Sequence, residues 1–430
     1  VDYVKMIVHM VGDMHCPMHV LYVPQDPTGG KYSFYVNGKK IKMHALNPKD
    51  VITIGDVSMT LFSITEQQEA HLGTLRTKAA TAMDGIFNLT CLTAIQVLIC
   101  LAYLMNGRPD SGMDVLMGFG GIVLCQWLLY GFYLLIKRTS FELETIAFFL
   151  CTMGMTAIAV VVPWEASKQL VSMILGLGIY LGVGWCLRDL DRAKIVREIA
   201  VFAGVGFLVI TLLFGTNYNG AKNWLMLGSL SVQPSEFSKI CFAFVAASTM
   251  DVIVTKRNLV VFIVYSALIC LCLAIMSDFG TALIFFVAFL LIAYMRSGSV
   301  GTVALAVSAL GFAGVVALKI APHALRRFAT WRHIWEDPFG AGYQQTRALI
   351  CIASGGLLGI GVGQGKMKHI FAADSDMVFA TISEEWGLVM GVLCVLCIVI
   401  LALFALRCAP VSRSSLYAIA SCTAAGILLV

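Results

Sequence analysis

Long apolar runs separated by short polar segments dominate the chain from about residue 86 onwards. The runs are roughly 17–24 residues long, the length that a helix needs to cross a bilayer. Because lipid offers no partners to backbone polar groups, each run is predicted to be a helix. About eleven spans are predicted, near 86–105, 113–136, 143–163, 169–187, 199–216, 239–254, 259–276, 279–295, 299–318, 388–406 and 414–430. The pattern predicts an all-α polytopic membrane protein.

Residues 1–80 follow a different pattern, in which short β-rich runs alternate with turn signals. Asn37-Gly38 between two such runs is a strong hairpin signal. The predicted strands are 19–23, 32–36, 51–54 and 59–64. We expect a small N-terminal all-β domain over 1–80, ending in a helical linker near 66–78. A linker with two additional membrane helices then covers 81–142, and the helical core covers 143–430.

Composition and charge agree with a membrane location and give an orientation. Hydrophobic residues make up 59% of the chain and charged residues 13%, against about 25% charged in soluble domains. The basic residues of the short loops fall on one side if the helices alternate: Arg76, Lys78, Lys137, Arg138, Arg188, Arg192, Lys194, Arg197, Lys256, Arg257, Arg296, Arg407 and Arg413. The positive-inside rule makes that side the cytoplasm. The N-terminal domain is then cytoplasmic, while 217–238, the turn at Asp278 and 319–387 are extracytoplasmic.

Cysteine and histidine usage gives little indication of a metal site. Most of the 14 Cys residues stand alone inside apolar runs, where free Cys behaves as a small hydrophobe. A loose N-terminal cluster consists of His9, His15, Cys16 and His19, without a second ligand pair at zinc-site spacing. The chain starts at Val1 and ends inside an apolar run, as a fragment would, and residues 1–30 contain no signal-peptide core. The net charge of +5 is small for the length, and no nucleic-acid partner is indicated.

The first unusual stretch lies on the predicted outer face between the fifth and sixth spans. It contains Asn219-Gly220-Ala221-Lys222-Asn223-Trp224, then Gln233-Pro234-Ser235-Glu236 and Lys239. Trp224 suits the membrane interface. Pro234 fits the first turn of a helix, and Ser235 and Glu236 place acceptors near its positive end. On residues alone this is an interfacial connector followed by a helix start.

Two further stretches stand out on the same face. Asp278 begins the eighth span, where an ionisable residue is either a functional group or an N-cap that accepts from backbone N–H groups. Gln344 precedes a glycine-rich stretch that ends in Gly365-Lys366-Met367. Glycine lets the backbone approach a partner closely. The stretch is not a phosphate-binding P-loop, because Met367 replaces Ser or Thr; a tight loop between helices is the alternative.

Four carboxylates then lie within a short distance before the tenth span: Asp374, Asp376, Glu384 and Glu385. Such clustering is costly near lipid, and like-charge repulsion raises the pKa of one carboxyl in such a group. The alternative is an acidic extracytoplasmic loop with a helix cap.

Together these stretches resemble the SEDS family, which includes FtsW, RodA and SpoVE. The first resembles the family's N-G-A-(K/R)-R-W and Q-P-S-E-x-x-K patterns, with Asn223 in place of Arg. The second resembles P-D-L-G-T, and the third G-Y-Q followed by G-S-G-G-L-x-G-x-G-x-G. The fourth resembles H-T-D-F-I-F and E-E-x-G, so that Asp376 falls on the family's essential aspartate. The resemblance covers about residues 143–430.

This resemblance implies a peptidoglycan glycosyltransferase that polymerises lipid II at the outer face of the bacterial cytoplasmic membrane, for division, elongation or shape. It implies that Asp376 is catalytic, as a general base near the attacking hydroxyl. The leaving pyrophosphate needs cationic or metal stabilisation, so a divalent cation stays open as a cofactor. The implied substrate-binding residues are Lys222, Trp224, Gln233, Ser235, Glu236, Lys239, Asp278, Gln344, Lys366, Glu384 and Glu385. The implied partner is a transpeptidase, a class B penicillin-binding protein.

Departures from the family pattern keep two other functions open. Phe371 and Ala372 stand where Pro and Glu are usual, and Asp374 and Ser375 where His and Thr are usual. A catalytically weak scaffold of a cell-wall synthase complex fits these changes. A flippase for lipid-linked sugars is the other alternative, although it predicts paired broken helices in two related halves, which the pattern does not show.

A second resemblance concerns the N-terminal domain. Tyr35-Val36-Asn37-Gly38, followed by Asp50-Val51-Ile52-Thr53-Ile54-Gly55, resembles the last strands of an FHA domain. It implies contact with a phosphoprotein, although the family's Gly-Arg and Ser-Arg-x-His phosphate-binding elements have no match here. An unrelated small β domain is the alternative, because such turn-and-strand patterns are common.

Overall fold

The structure of the protein is a computed structural model. It describes residues 34–40, 51–54, 57–60, 81–106, 111–188, 190–218, 221–227, 230–251, 256–297, 299–301, 303–308, 311, 314, 333–409 and 415–430. Most of these residues are helical. The metal-type cluster near the N-terminus, the strand predicted at 19–23 and the linker helix at 66–78 lie outside them.

Apolar helices form the body of the described chain. They are α1 (Ala82–Asn106), α2 (Gly112–Leu135), α3 (Glu142–Val161), α4 (Ala166–Leu187), α5 (Leu190–Phe214), α6 (Pro234–Asp251), α7 (Lys256–Ile275), α8 (Phe279–Ser297), α9 (Tyr343–Gly355), α10 (Val378–Trp386), α11 (Leu388–Cys408) and α12 (Ser415–Leu429). Within the described ranges, six segments are long and apolar enough to cross a membrane: Ala82–Asn106, Gly112–Leu135, Glu142–Val161, Pro163–Leu187, Ile195–Phe214 and Leu388–Cys408. Several apolar helices in one chain are those of a polytopic membrane protein.

The predicted spans match these helices, with two qualifications on their number. Val260–Ile275, Phe279–Met295 and Leu416–Leu429 are apolar but shorter than a full span. The span predicted at 299–318 falls largely outside the described residues, although 303–308 are helical. The count of eleven therefore stays a prediction.

Four short strands lie in the N-terminal region: β1 (Phe34–Val36), β2 (Lys39–Lys40), β3 (Val51–Ile54) and β4 (Val57–Thr60). They form an antiparallel sheet in the order β2-β1-β3-β4. The β1–β2 turn is Asn37-Gly38, and both residues have positive φ, 50° and 78°, as a type I′ hairpin requires. The fourth strand starts at Val57, two residues before the predicted start at 59.

The segment between α5 and α6 was expected to be a connector, but it is a small sheet. Its strands are β5 (Thr216–Tyr218), β6 (Ala221–Leu227) and β7 (Leu230–Val232), paired antiparallel in chain order. The predicted helix start that follows is confirmed, because α6 begins at Pro234. Likewise the predicted outer stretch 319–387 contains two helices, α9 and α10, that the sequence did not indicate.

Two large apolar cores hold the helices together. One is formed by α5, α6, α7, α8 and α12 around fully buried Phe242 and Phe285, whose rings meet edge to face at 5.2 Å. The other is formed by α1, α2 and α3, around Leu89 and Ile122. A third, smaller cluster is formed by residues of α9, α10 and the segment between them: Ala348, Cys351, Met367, Ala373 and Ala380.

Candidate functional site

The segment between α9 and α10 is held against α10 by very close backbone contacts. It turns at glycines with positive φ, among them Gly359 at 85° and Gly361 at 101°, a conformation that glycine adopts without steric cost. A Cβ atom on Gly359 would lie 2.3 Å from the carbonyl oxygen of Glu385. The glycines therefore let this segment, which we call the outer loop (residues 356–377), pack directly on the end of α10.

Two adjacent carboxylates of α10, Glu384 and Glu385, fix the outer loop through its backbone. The donors are the backbone N–H groups of Gly363 and Gly365, to Glu385, and of Lys366 and Met367, to Glu384. Three of these bonds are 2.9, 3.0 and 2.8 Å long. Both residues are buried, with exposed fractions of 1% and 2%. Burial raises the pKa of Glu385 above its ordinary value, opposed by the N–H donors and nearby Lys368.

Asp376, the predicted catalytic residue, lies at the surface on the tight turn before α10. The backbone N–H groups of Ser375, Asp376 and Met377 all point to the carbonyl oxygen of Ala372, at 3.3, 3.0 and 3.2 Å. Ala372 has φ 58°, a left-handed conformation that costs a residue with a side chain about 1–2 kcal/mol. Within the described residues, the exposed carboxylate of Asp376 forms no hydrogen bond or ion pair. It is open to solvent.

Two side chains anchor the turn that carries Asp376 to the neighbouring helices. Gln344 of α9 donates from Nε2 to the carbonyl oxygen of Phe371 at 3.0 Å. Thr381 of α10 donates from Oγ1 to the carbonyl oxygen of Ala373 at 2.9 Å. The sequence gives no signal for Thr381, because one hydroxyl in a short apolar run has no distinctive pattern. The predicted binding residue Gln344 therefore has a local role in fixing the turn.

Two basic residues of this region differ in how they are held. Lys366 is exposed on the outer loop, and in the described part of the chain its ammonium group forms no hydrogen bond or ion pair. The guanidinium of Arg347 lies over the rings of Phe339 and Tyr343, 5.7 and 5.4 Å from their centroids. Lys366 is accordingly the more available of the two to an anion.

Lys222 of β6 is bound to the end of a helix. Its ammonium donates to the carbonyl oxygens of Leu212 and, at 3.4 Å, Leu213. Its backbone N–H donates to the carbonyl oxygen of Met276 at 3.0 Å. A cation at the last carbonyls of α5 is favoured by the helix dipole. The sheet of β5, β6 and β7, which we call the outer sheet, is thus held against α5 and the end of α7.

Asp278 is the N-cap of α8, and it also contacts the outer sheet. Its Oδ1 accepts from the backbone N–H of Thr281 at 3.1 Å, while its Oδ2 accepts from Nδ2 of Asn223 at 3.3 Å. Asp278 is 9% exposed, and Oδ1 of Asn223 is buried without a hydrogen-bond partner. The sequence marked Asn223 only as a departure from the family pattern. The family pattern has an arginine at position 223, and its next motif has an aspartate at position 278. These opposite charges were the signal in the sequence that positions 223 and 278 pair.

The start of α6 carries the remaining predicted residues of this stretch. Glu236 and Lys239 form an ion pair at 2.7 Å. Ser235 is fully buried and its hydroxyl has no hydrogen-bond partner. The carbonyl oxygen of Gln233 accepts from the N–H of Glu236 at 3.1 Å. Trp224 is partly buried in β6, with its carbonyl oxygen accepting from Thr216 at 3.2 Å.

The described contacts arrange the predicted residues in two sets. The sheet set lies on β6, at the start of α6 and at the start of α8. It consists of Lys222, Trp224, Gln233, Ser235, Glu236, Lys239 and Asp278. The loop set consists of Gln344, Lys366, Asp376, Glu384 and Glu385, on α9, the outer loop and α10. Among the residues that the structure describes, no three His, Cys, Asp or Glu side chains are placed to hold a metal ion.

Comparison with known proteins identifies the group to which this arrangement belongs. Residues 163–430 match the FtsW/RodA/SpoVE family, described as "Cell cycle protein". A probable peptidoglycan glycosyltransferase FtsW of Tolumonas auensis is 31% identical over 261 residues, which is 58% of this chain and 65% of that protein. The peptidoglycan glycosyltransferase RodA of Mycobacterium tuberculosis is 28% identical over 273 residues, 58% of each chain.

A solved structure described as "Structural coordination of polymerization and crosslinking by a peptidoglycan synthase complex" has a similar fold. It superimposes with a TM-score of 0.52 at 19% identity, over 67% of this chain and 83% of that one. The chain spans about three-fifths of the length of the curated relatives it matches. Because the family match covers more than half of the chain, this multi-pass membrane protein belongs to the FtsW/RodA/SpoVE family.

Proposed function

We propose that the protein is a peptidoglycan glycosyltransferase that polymerises lipid II into glycan strands at the outer face of the bacterial cytoplasmic membrane. Family membership and the names of the relatives support this activity. The observation that carries it is the placement of Asp376. Its carboxylate is exposed, while the turn that bears it is fixed by Gln344 and Thr381. A fixed turn with a free carboxylate is what a general base needs.

The proposed step transfers a glycan between two lipid-linked sugars. A sugar hydroxyl attacks the anomeric carbon of the second sugar, and a new carbon–oxygen bond forms there. The bond from that carbon to the lipid pyrophosphate breaks, and the pyrophosphate leaves with the bonding electrons. Asp376 takes the proton of the attacking hydroxyl. Lys366, exposed on the outer loop, supplies positive charge for the leaving group.

The geometry changes the roles that we propose for several of the predicted binding residues. Glu384 and Glu385 are buried and engaged with backbone N–H groups, so we assign them to shaping the outer loop. Lys222 is engaged with the end of α5, so we assign it to holding the outer sheet. Gln344 holds the turn of Asp376, Asp278 caps α8 and Ser235 is fully buried, so we assign these three to fixing the fold around the site. Trp224, Gln233, Glu236 and Lys239 keep their proposed place in substrate binding through the sheet set.

The test of this function is glycan synthesis by the purified protein from lipid II, with products separated on a gel. We expect Asp376→Asn to abolish polymerisation while the protein still inserts and folds, because the amide cannot accept the proton. Glu336→Gln is the matched control: it is an exposed carboxylate paired with His333 at 2.8 Å, outside the turn that carries Asp376. Product of near wild-type length from Asp376→Asn would remove the assignment. No product from the wild type would favour the scaffold function instead.

We propose that the N-terminal domain faces the cytoplasm, with a phosphoprotein contact as its further role. The basic residues of the short loops support this orientation. An impermeant maleimide on Gly38→Cys, on a background without native thiols, tests it: Gly38 lies exposed at the β1–β2 turn. Labelling in intact cells would overturn the orientation.

We also propose that the protein works with a class B penicillin-binding protein. Glycan strands need a separate activity for cross-linking, and the structural neighbour is described as coordinating polymerization and crosslinking. A partner that selects the competent conformation of the outer loop would raise the polymerisation rate. Co-purification from native membranes, followed by rates with and without the partner, tests this. Equal rates would remove the activation, and a pull-down without any transpeptidase would remove the partnership.

A further inference from the structure

The outer loop has a second support, from helices outside the residues that match the family. Val362 of the loop is buried in the apolar cluster that α1, α2 and α3 form together with Ala166 and with Ile382 of α10, and its exposed fraction is 7%. At the neighbouring Gly363, a Cβ atom would lie 3.2 Å from the carbonyl oxygen of Asn106, the last residue of α1. The loop therefore contacts both the carboxylates of α10 and the end of α1.

A buried polar network joins α1 to α2 and α3 within the helix bundle. The amides of Gln96 and Gln126 exchange two hydrogen bonds, at 3.1 and 2.9 Å. Nε2 of Gln96 also donates to Oγ1 of Thr152 at 2.9 Å, and Nε2 of Gln126 donates to Oγ1 of Thr93 at 2.9 Å. Gln96, Gln126 and Thr152 are fully buried. Polar groups in such a position fix the rotation and depth of one helix against another.

A charged cluster at the opposite end of α2 joins it to α3 and α4. Glu144 of α3 accepts from Arg138 at 2.7 Å, from Tyr180 of α4 at 2.7 Å and from Tyr133 of α2 at 3.2 Å. The guanidinium of Arg138 lies over the ring of Tyr133, 4.3 Å from its centroid. Because Glu144 is 7% exposed, these bonds hold a charge that would otherwise be costly to bury. The glutamine network thus joins α1 to α2 and α3, and the charged cluster joins α2 to α3 and α4.

We propose that α1 and α2 position the outer loop for catalysis, so that the helix pair is a working part of the site although the family match begins only at residue 163. The proposal rests on the proposed polymerase function for its catalytic consequence. Its structural part is independent of that function. A helix that served only as a membrane anchor would not need these contacts. The carbonyl oxygen of Asn106 lies against the loop at Gly363, and Val362 of the loop belongs to the same apolar cluster as α1.

The physical argument concerns the freedom of the loop. Glu384 and Glu385 hold the backbone N–H groups of residues 363–367, and Met367 is buried in the small apolar cluster with α9 and α10. If α1 shifts, Val362 loses its apolar surroundings and the loop gains freedom to leave the carboxylates. The turn of Asp376 begins at Ala372, ten residues after Val362 in the same loop, so a looser loop strains the two anchors of the turn at Phe371 and Ala373 and displaces its carboxylate. A displacement of about 1 Å at a catalytic group is enough to reduce turnover strongly.

The test combines hydrogen exchange with kinetics. Thr152→Val removes the hydroxyl that accepts a hydrogen bond from Gln96. Thr423→Val is the matched control, because it removes an equally buried hydroxyl whose hydrogen bond stays within α12. Both variants are compared with wild type by hydrogen–deuterium exchange of the peptide spanning 359–368 in the whole protein. An interhelical bond in a membrane protein is worth about 0.6 kcal/mol, or about a threefold change. We expect about threefold faster exchange for Thr152→Val and no change for Thr423→Val.

Two further variants sharpen the result. Thr152→Ser keeps the hydroxyl and is expected to restore wild-type exchange. Gln96→Leu removes every bond that Gln96 makes in the network, and we expect faster exchange than in Thr152→Val. With lipid II, Gln96→Leu should lower the turnover number by at least about threefold, because the loop carries Lys366 and leads into the turn of Asp376. If Gln96→Leu does not fold, Thr152→Val and its serine rescue decide alone.

The outcomes separate this proposal from the proposed function. If wild type makes no glycan, the polymerase function fails, while loop exchange still tests the support by α1. Exchange of 359–368 that stays at the wild-type level in the folded Thr152→Val and Gln96→Leu variants overturns the proposal. Faster exchange with unchanged turnover overturns its catalytic part. Equal acceleration in Thr423→Val would show general destabilisation and would overturn it too.

Discussion

Replacing Glu385 with Gln tests whether the buried carboxylates of α10 hold the outer loop. In the wild type both carboxylate oxygens accept, Oε2 from the N–H of Gly363 and Oε1 from that of Gly365. A glutamine offers one oxygen and one NH2 group, so one backbone N–H must face a donor. The change is almost isosteric, and packing is conserved. Its effect therefore isolates the hydrogen bonds.

The expected cost follows from the contacts. A hydrogen bond to a charged acceptor contributes about 1.5–3 kcal/mol, and a buried donor left without a partner costs about 1–3 kcal/mol. Glutamine carries no charge, so the variant does not bear the cost of burying one, and this gain offsets part of the lost hydrogen-bond energy. The cost of burial is evident in the raised pKa of Glu385. We expect a net cost of about 2 kcal/mol for keeping the loop closed. That corresponds to about a 30-fold larger population of the open loop.

Hydrogen–deuterium exchange measures this population directly, since the protected N–H groups of residues 363 and 365 are those that Glu385 binds. We expect peptides covering 359–368 to exchange about 30-fold faster in Glu385→Gln. Glu165→Gln serves as the control, because Glu165 is a half-exposed carboxylate in an ion pair with Lys168 at 3.1 Å. Peptides from α12 report whether the fold as a whole is retained.

One result would refute the reasoning. If Glu385→Gln is folded and the 359–368 peptides exchange as in wild type, the carboxylate does not hold the loop. A general acceleration that includes α12 would indicate global destabilisation, and the local assignment would fail for that reason.

Three further outcomes are expected. Gly365→Ala places a Cβ 2.4 Å from Oε1 of Glu385, so it should speed hydrogen exchange of the loop and destabilise the closed loop by about 2 kcal/mol. In the control Gly120→Ala in α2, nothing lies within 4 Å of the added Cβ, and the midpoint of thermal unfolding should not change. Ala372→Val puts a β-branched residue at φ 58° and should destabilise the Asp376 turn by about 1–2 kcal/mol, seen as faster proteolysis of the outer loop than in Ala372→Gly. The raised pKa of Glu385 means that the folded state binds this proton more tightly, so its contribution is fully present below the ordinary value of 4.5 and is lost as the pH rises through the raised pKa. The midpoint of thermal unfolding of wild type should therefore fall over that range relative to Glu385→Gln.

The membrane helices could be predicted from sequence because their signal is long and one-dimensional. An apolar run of the right length has few alternatives in lipid, and α1 to α5 and α11 follow it closely. The outer elements gave no comparable signal. Helix α10 is only nine residues long, and β5 to β7 are short strands among turn residues. Such elements are stabilised by contacts with distant segments, which local pattern does not contain.

The site shows the same division. Asp376 could be singled out because its motif matches a family pattern, and the structure leaves its carboxylate exposed. The role of Glu384 and Glu385 could not be predicted, because their partners are backbone N–H groups about 20 residues away. Backbone donors have no residue identity, so no sequence pattern records them. The glycines at 359, 363 and 365 were the only indirect signal, since they indicate a close approach without naming the partner.

The departures from the family pattern acquire a physical meaning from these contacts. Where the pattern has arginine, Asn223 still donates to Asp278 at 3.3 Å, but a neutral donor contributes about 0.5–1.5 kcal/mol instead of about 1.5–3. Where the pattern has glutamate, Ala372 contributes only its carbonyl oxygen, to which three N–H groups of the turn point. The sheet set thus has one positive charge fewer than the pattern, and the turn is organised by its backbone. Under the proposed mechanism, proton transfer then depends on Asp376 and leaving-group stabilisation on Lys366, because the carboxylates at 384 and 385 and the ammonium of Lys222 are already engaged within the fold.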